Sequence, residues 1–448
     1  MSFASQPHPF VLESSASDAG YGRYTILGCA PLHTLSLDRA EPRPIDRLAA
    51  SLGRWPKGTS LPQVPFAGGW VGYLSYEAGL TIERLQPTTQ ADIPLPSVRF
   101  ALYDSVAVFD HTRRQWYAVA VDWPPGFDQG RPPVERRLAE IRRRLETAPP
   151  PGELSWGRPW CEPPATNITR AEYLAAVERA KAHIAAGDTY QINLTQRFST
   201  TTGATPLEIY RRLRRVNPSG YAALLTWDDQ AVISASPELF LDLRGRRVVT
   251  RPIKGTRPRV GDEQLDALRR RELPASEKDR AELTMIVDLL RNDLGRVCEY
   301  GTVQVTHPAE LETHPTVYHL VGTIKGTLRR DCDWADLLRA SFPGGSITGA
   351  PKVRAMQIID DLETQGRSVY CGSIGYIGLD GSLCLNIAIR TMVTHGRHLH
   401  LFAGGGIVAD SDPQDEYDET LAKAAGMLRA LGHGPARCAG GSMVEGRT

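Results

Sequence analysis

No stretch of this chain approaches the roughly 18 consecutive apolar residues that a membrane-spanning helix requires, so nothing in it reads as a membrane segment. Positive charge is not in surplus either. The 52 Lys and Arg against 51 Asp and Glu leave a net charge of +1. Such a balance supplies no excess cations to neutralise a phosphate backbone, which argues against a nucleic-acid partner. The seven cysteines, at positions 29, 161, 298, 332, 371, 384 and 438, include no CxxC pair and no zinc-type spacing. An odd, scattered set fits reduced thiols, hence a cytoplasmic location rather than an oxidising one. The opening residues Met1-Ser2-Phe3-Ala4 carry no basic stretch leading into an apolar run, so no signal peptide is expected. No internal repeat is evident.

What remains is ordinary globular composition: 448 residues, 41% hydrophobic and 23% charged. That is enough chain for one large α/β body with a smaller appendage, or for two or three average domains. The first third reads as strands and turns, with Phe10 to Ser14, Tyr24 to Gly28 and Ser97 to Leu102 as β-type runs. A basic helix follows near Val134 to Thr147. The chain therefore divides into an N-terminal region (1–147), a Pro-rich linker (148–166), a central body (167–431) and a Gly-rich tail (432–448) expected to be loose. Thr169 with Glu172 has capping-box spacing and predicts a helix to Ala186. A strand is expected from Tyr190 to Phe198, and Ser276 caps a long helix running to about Val297. A further helix ends near Leu362. Strands are predicted at Gly372 to Gly378, Leu383 to Val393 and Leu399 to Gly404. Asp412-Pro413, a cap followed by proline at the first helical position, opens a last helix to Leu431.

Several residues carry chemical potential. Lys254 sits in Pro252-Ile253-Lys254-Gly255-Thr256, with a proline stiffening one side and Gly255 letting a ligand approach the backbone. Glu416, Glu419 and Lys423 share one face of the last helix, and Glu282 lies on the Ser276 helix. Glutamates from two helices suit Mg²⁺, which takes oxygen ligands and keeps positions open for substrate oxygens. Gly404-Gly405-Gly406 offers backbone N–H groups to an anion. Arg390, at the end of an alternating run, suits a bidentate carboxylate contact. Taken singly, each also fits a solvated charge pair, a tight turn or a strand-end arginine.

Taken in order they resemble one family. Ser234 to Phe240, Met285 to Leu294, Phe342 to Lys352 and Asp410 to Thr420 are similar to the motif blocks of the chorismate-utilising enzymes, in the branch formed by the chorismate subunits of aminodeoxychorismate synthase and anthranilate synthase. The resemblance runs over about residues 8 to 431. It implies two packed β-sheets flanked by helices, an α/β (α+β) fold. It also implies a Mg²⁺ site at Glu282, Glu416 and Glu419, with Lys423 nearby. Arg390, Tyr376 and Gly404 to Gly406 would grip the enolpyruvyl carboxylate of chorismate. Glu238, Gly255, Thr256, His319 and Ser346 would surround the ring. Leu12, Glu13, Ser14, Asn217, Pro218, Ser219 and Tyr221 resemble the family's tryptophan pocket, although Gly220 stands where the inhibited enzymes commonly have proline.

Two positions bear on the reaction. Family members that add water to chorismate carry a lysine where this chain has Gln191, and a neutral amide cannot serve as that base. Anthranilate synthases usually carry alanine where this chain has Lys254. The resemblance therefore implies amination at C4 through an enzyme-bound lysine adduct, with direct amination at C2, the anthranilate reaction, as the alternative. Arg251, Arg257, a nearby Mg²⁺ and burial would all favour the neutral amine. No Gly-x-Cys-x-Gly turn is present, so ammonia is expected from a separate glutamine amidotransferase subunit.

Overall fold

The computed structural model describes residues 3–14, 23–127, 129–148, 152, 154 and 160–433. Nine residues of the proline-rich linker and the tail beyond His433 lie outside the described residues.

Among the described residues the chain forms an eleven-stranded and a ten-stranded sheet, with antiparallel pairing throughout. The larger sheet runs from Gly349–Ala350 through Gln191–Thr201, His398–Ile407, Thr391–His395, Gln230–Ser236 and Tyr221–Trp227 to Phe10–Glu13, Tyr24–Gly28, Ser105–Asp110 and Gln115–Ala120. The smaller runs from Ile253–Pro258 through Val317–Thr327, Arg247–Arg251, Leu239–Arg244, Leu383–Asn386 and Ser373–Gly378 to Gly69–Leu74, Val98–Tyr103 and His33–Leu37. N-terminal strands thus pair directly with strands from the last third of the chain. Residues 1–147 and 167–431 share both sheets.

Side-chain alternation explains how the larger sheet serves two cores. Ala223, Leu225 and Val232 join a core that also contains Phe100, Leu241 and Leu385 of the smaller sheet. Their neighbours Ala222, Leu224 and Ile233 point the other way, into a second core with Ile209, Leu213, Met427 and Leu428. Those four belong to helices Pro206–Val216 and Pro413–Ala430, which cover the outer face. A period of two places successive residues on opposite faces, so a strand buried on both sides loses its polar alternation. Burying each such aliphatic side chain contributes about 1.5–3 kcal/mol.

The capping signals hold. Thr169 and Glu172 close a reciprocal capping box on Arg170–Ala185. Ser276 accepts from Asp279 N at the head of Glu277–Gly295, and Asp412 accepts from Gln414 N and Asp415 N. One expectation fails. The predicted strand Leu383 to Val393 is two strands, Leu383–Asn386 in the smaller sheet and Thr391–His395 in the larger. Residues 387–390 cross between the sheets, and Arg390 ends the crossing in the left-handed region, with φ 50°. The apolar pattern runs on unbroken because Ile387 and Ala388 stay buried during the crossing. No helix among the described residues is long and apolar enough to cross a membrane.

Candidate active site

The crossing from one sheet to the other leaves the first strand of the smaller sheet facing the glycine strand of the larger. Ile253–Pro258 pairs with Val317–Thr327, Lys254 opposite Leu320 and Thr256 opposite His319. Gly255 is therefore an extra, bulged residue, and its φ of +73° suits glycine. A Cβ there would stand 2.8 Å from Leu273 Cδ1 and 2.9 Å from Asp279 Oδ1. Lys254 Nζ lies 3.7 Å from Glu282 Oε2. Burial pushes the Lys254 ammonium below its ordinary value, Lys423 pushes the same way, and Glu282, Glu238 and Glu419 oppose.

Glu238 precedes the strand Leu239–Arg244 and is buried. It accepts a hydrogen bond from Ser346 Oγ at 2.6 Å. Burial pushes its carboxyl up to about 7, against the opposing pull of the Ser346 hydroxyl and Lys254. His319 Nδ1 and Thr256 Oγ1 share a hydrogen bond at 2.9 Å. Burial holds that imidazole neutral, well below its ordinary value, with Arg390 and His314 adding repulsion. Of the two candidate proton carriers, only Glu238 populates both forms near neutral pH.

The glycines of His398–Ile407 form the surface on which these groups meet. Opposite Leu194, a Cβ on Gly405 would lie 2.9 Å from Glu416 Oε2, 3.7 Å from Glu419 Oε1 and 3.9 Å from Lys423 Nζ. One residue on, a Cβ on Gly406 would lie 2.7 Å from Gln191 Nε2 and 3.2 Å from Lys254 Nζ. Only backbone leaves this space open. Lys423 Nζ donates to Gly404 O at 2.9 Å and pairs with Glu419 Oε1 at 2.6 Å. Burial raises the Glu416 carboxyl although Ser411 Oγ donates to it at 2.6 Å. Burial also works against the charge on Glu419, but Lys423, Lys254 and Lys278 outweigh it and hold that carboxyl low.

Three carboxylates around one glycine strip suit a hard divalent cation by donor chemistry. The side chains themselves are not gathered as ligands. Among the described residues no group of three or more His, Cys, Asp or Glu stands close enough to hold a metal. Instead Glu282 and Glu419 are paired with Lys254 and Lys423.

Arg390 is half-buried and makes no salt bridge among the described residues, and burial lowers it to about 10. Its guanidinium is close enough to His319 to disfavour a proton there. Tyr376 does not join it. Its ring lines a different cavity of about 360 Å³, together with Leu12, Glu13, Ser14 and Tyr221. There its hydroxyl accepts from Arg244 Nη2 at 2.6 Å and donates to Pro65 O at 3.2 Å. Strand alternation turns Tyr376 away from the face expected for it. Asn217 and Pro218 are not among that cavity's lining, and Asn217 abuts Gly426 on the last helix. Glu13 is engaged by Tyr210 Oη at 2.8 Å and Arg214 Nη2 at 2.5 Å.

In the sequence Gln191 serves only to exclude a lysine at that position. In the structure both its amide atoms are buried without a hydrogen-bond partner, beside Lys254 and Gly406. Such a group is costly unless something polar arrives to meet it. The hint in the sequence is the alternation of polar Gln191, Asn193 and Thr195 with apolar Ile192 and Leu194.

The fold has known counterparts. Residues 12–429 match the model of the chorismate binding enzyme family. Aminodeoxychorismate synthase component 1 of Klebsiella aerogenes is 39% identical over 444 residues, covering 96% of this chain and 94% of that protein. Anthranilate synthase component 1 of Streptomyces coelicolor is 42% identical over 435 residues, covering 94% and 83%. The crystal structure of anthranilate synthase component I from Streptococcus pneumoniae superposes with a TM-score of 0.77 at 33% identity, covering 90% of this chain and 92% of that one. This chain belongs to the chorismate binding enzyme family.

Proposed function

We propose that this enzyme aminates chorismate at C4, giving 4-amino-4-deoxychorismate, the precursor of 4-aminobenzoate and folate. The observation that carries the reading is Lys254 itself. Its amine sits beside Gly406, in the same pocket as a carboxyl that titrates near neutrality. The Klebsiella relative bears the corresponding name.

In this reading the neutral amine of Lys254 attacks C2, the two conjugated ring double bonds each shift by one position, and the C4–O bond breaks. Glu238 gives its proton to the departing oxygen, which leaves as water. Ammonia then attacks C4, both double bonds shift back, and the C2–N bond breaks to return lysine. Deprotonated Glu238 takes a proton from the incoming amine and is reset. One hard displacement becomes two easier ones. A lysine at the ordinary value of about 10.4 would be neutral in only about 1 in 2,500 molecules at pH 7, worth roughly 4.6 kcal/mol. The burial of Lys254 works against that deficit.

Arg390 and the backbone of Gly404 to Gly406 would bind the enolpyruvyl carboxylate. Thr256 would hold the neutral His319 against the ring. Glu282, Glu416 and Glu419 would hold a Mg²⁺, which when bound would neutralise the ring carboxylate. Ammonia would come from a glutamine amidotransferase subunit, as the designation "component 1" of the relatives suggests. The 360 Å³ cavity would take tryptophan. A second reading, direct attack of ammonia at C2 to give anthranilate, is favoured by the 42% identity to the Streptomyces protein.

Product identity separates the two. Purified protein is incubated with chorismate, Mg²⁺ and ammonium, with and without an added aminodeoxychorismate lyase. Lyase-dependent 4-aminobenzoate, lost in Lys254→Ala, is expected. Lyase-independent anthranilate from the unsubstituted protein would overturn the proposal, and unchanged C4 amination by Lys254→Ala would remove the covalent role of the lysine.

A further inference from the structure

From a turn that Thr348 Oγ1 closes by donating to Gly344 O at 3.1 Å, Ser346 reaches Glu238. Gly344 and Gly345 precede it, packed so closely that a Cβ on either would stand 2.4 Å from Ile387 Cδ1 or Leu289 Cδ2. The loop is tied to the Gln191–Thr201 strand by Asn193 N donating to Thr348 O at 2.8 Å and by the pairing of Ala350 with Gln191. Arg367 closes the remaining side. Its guanidinium is buried, and Nη1 donates to Ile347 O at 3.0 Å, one residue beyond Ser346. Nη2 donates to Asn193 O at 2.6 Å.

The charge is balanced within the same knot. Nε and Nη2 donate to the two oxygens of Glu363 at 2.8 and 2.7 Å. Glu363 Oε1 also accepts from Thr195 N and Thr195 Oγ1, each at 2.9 Å. Thr195 stands opposite Gly404 in the glycine strand. The guanidinium lies 4.6 Å over the Tyr76 ring. One planar fork thus meets acceptors from the serine loop, the Gln191 strand and the Glu363 turn, a directional task that a lysine cannot reproduce.

We propose that Arg367 is a positioning residue: by fixing Ile347 against the Gln191–Thr201 strand it holds Ser346 in the place from which its hydroxyl reaches Glu238. The inference rests on the reading that Glu238 supplies the proton to the leaving oxygen. Lys254 is the charged group facing Glu238, and no substitution used below alters it.

The test is the pH dependence of chorismate consumption, with free ammonia held constant, in the unsubstituted protein, Ser346→Ala, Arg367→Lys and the double variant. With Glu238 active in its protonated form, the rate falls on the alkaline side with a midpoint near 7. Losing the Ser346 hydroxyl removes a bond that favours the carboxylate, so the midpoint moves to higher pH. Arg367→Lys is expected to move it in the same direction, and the double variant no further than Ser346→Ala alone. An unmoved midpoint in Arg367→Lys with only lower activity or stability would overturn the proposal, as would shifts that add in the double variant. If Arg367→Lys does not fold, Glu363→Gln carries the same expectation and the same refutation. An alkaline limb that Ser346→Ala leaves where it stands in the unsubstituted protein would remove the Glu238 reading and the positioning role together. Because consumption rather than product is followed, an anthranilate product would sink the proposed function and leave this result standing.

Discussion

Glu238→Gln should stabilise the protein while disabling it, and the size of the effect follows from burial. Raising a carboxyl from 4.5 to about 7 means that its ionised form is disfavoured in the folded state by about 3 kcal/mol, at roughly 1.36 kcal/mol per pH unit. The folded value lies above the unfolded one, so Glu238 costs nothing well below about pH 4.5. The cost grows as pH rises toward 7 and is complete above it. Glutamine keeps the acceptor that Ser346 uses and has no charge to desolvate. Between about pH 5 and about pH 8 the stability gain of Glu238→Gln should widen by roughly 2.5 kcal/mol. Urea unfolding at the two pH values, followed by tryptophan fluorescence, reads this directly. A gain equal at both would mean that Glu238 does not titrate as its burial requires, and the proton-donor role would lose its physical basis. Turnover should fall by at least about 100-fold, the lower range for loss of a general acid.

Other positions make shorter tests. Gly406→Ala puts a methyl 2.7 Å from Gln191 Nε2 and 3.2 Å from Lys254 Nζ, so kcat should fall at least about tenfold with an unchanged thermal midpoint. Arg390→Ala should raise KM for chorismate by about 10- to 100-fold, the worth of a charge-assisted hydrogen bond of about 1.5–3 kcal/mol; an unchanged KM would remove its carboxylate role. Glu416→Gln should raise the Mg²⁺ concentration needed for half-maximal rate by tenfold or more, roughly one ligand's worth. It should also unfold later at neutral pH, because burial already opposes its charge. Equal Mg²⁺ dependence in both proteins would take Glu416 out of the metal site.

Much of the framework is legible from local chemistry. Caps at Thr169, Ser276 and Asp412 mark helix starts because they satisfy backbone donors within a few residues of themselves. The Gly405 and Gly406 strip could be noticed, but not what it faces, since Lys254 reaches it across about 150 residues of chain through sheet register. Tyr376 fails for the same reason: strand parity decides which cavity it lines, and parity depends on pairing with Val71 and Cys384. The break at 387–390 is hidden because Ile387, Ala388 and Ile389 all pack on one core before Arg390 ends the crossing. Arg367 is invisible in the sequence because its four acceptors come from residues 193, 347 and 363.

The electrostatics of the pocket connect the proposed cation with the proposed nucleophile. Glu282, Glu416 and Glu419 bring three negative charges to a region where Lys254 and Lys423 bring two positive ones, a sum of −1. To attack, Lys254 must shed its proton, which takes the sum to −2. A dicarboxylate substrate meets one further positive charge at Arg390, which leaves −1 before the substrate's own two charges are counted. A site with that balance repels its substrate at the moment its nucleophile is ready. If the three glutamates held a divalent cation, the balance would become +1, which would favour the dicarboxylate and disfavour the proton on Lys254 by direct repulsion. Glu282, 3.7 Å away, opposes the loss of that proton, against the larger effect of burial. The same carboxylate that would bind the cation therefore restrains the lysine until the cation arrives, so occupancy of the metal site and readiness of the amine are expected to rise together.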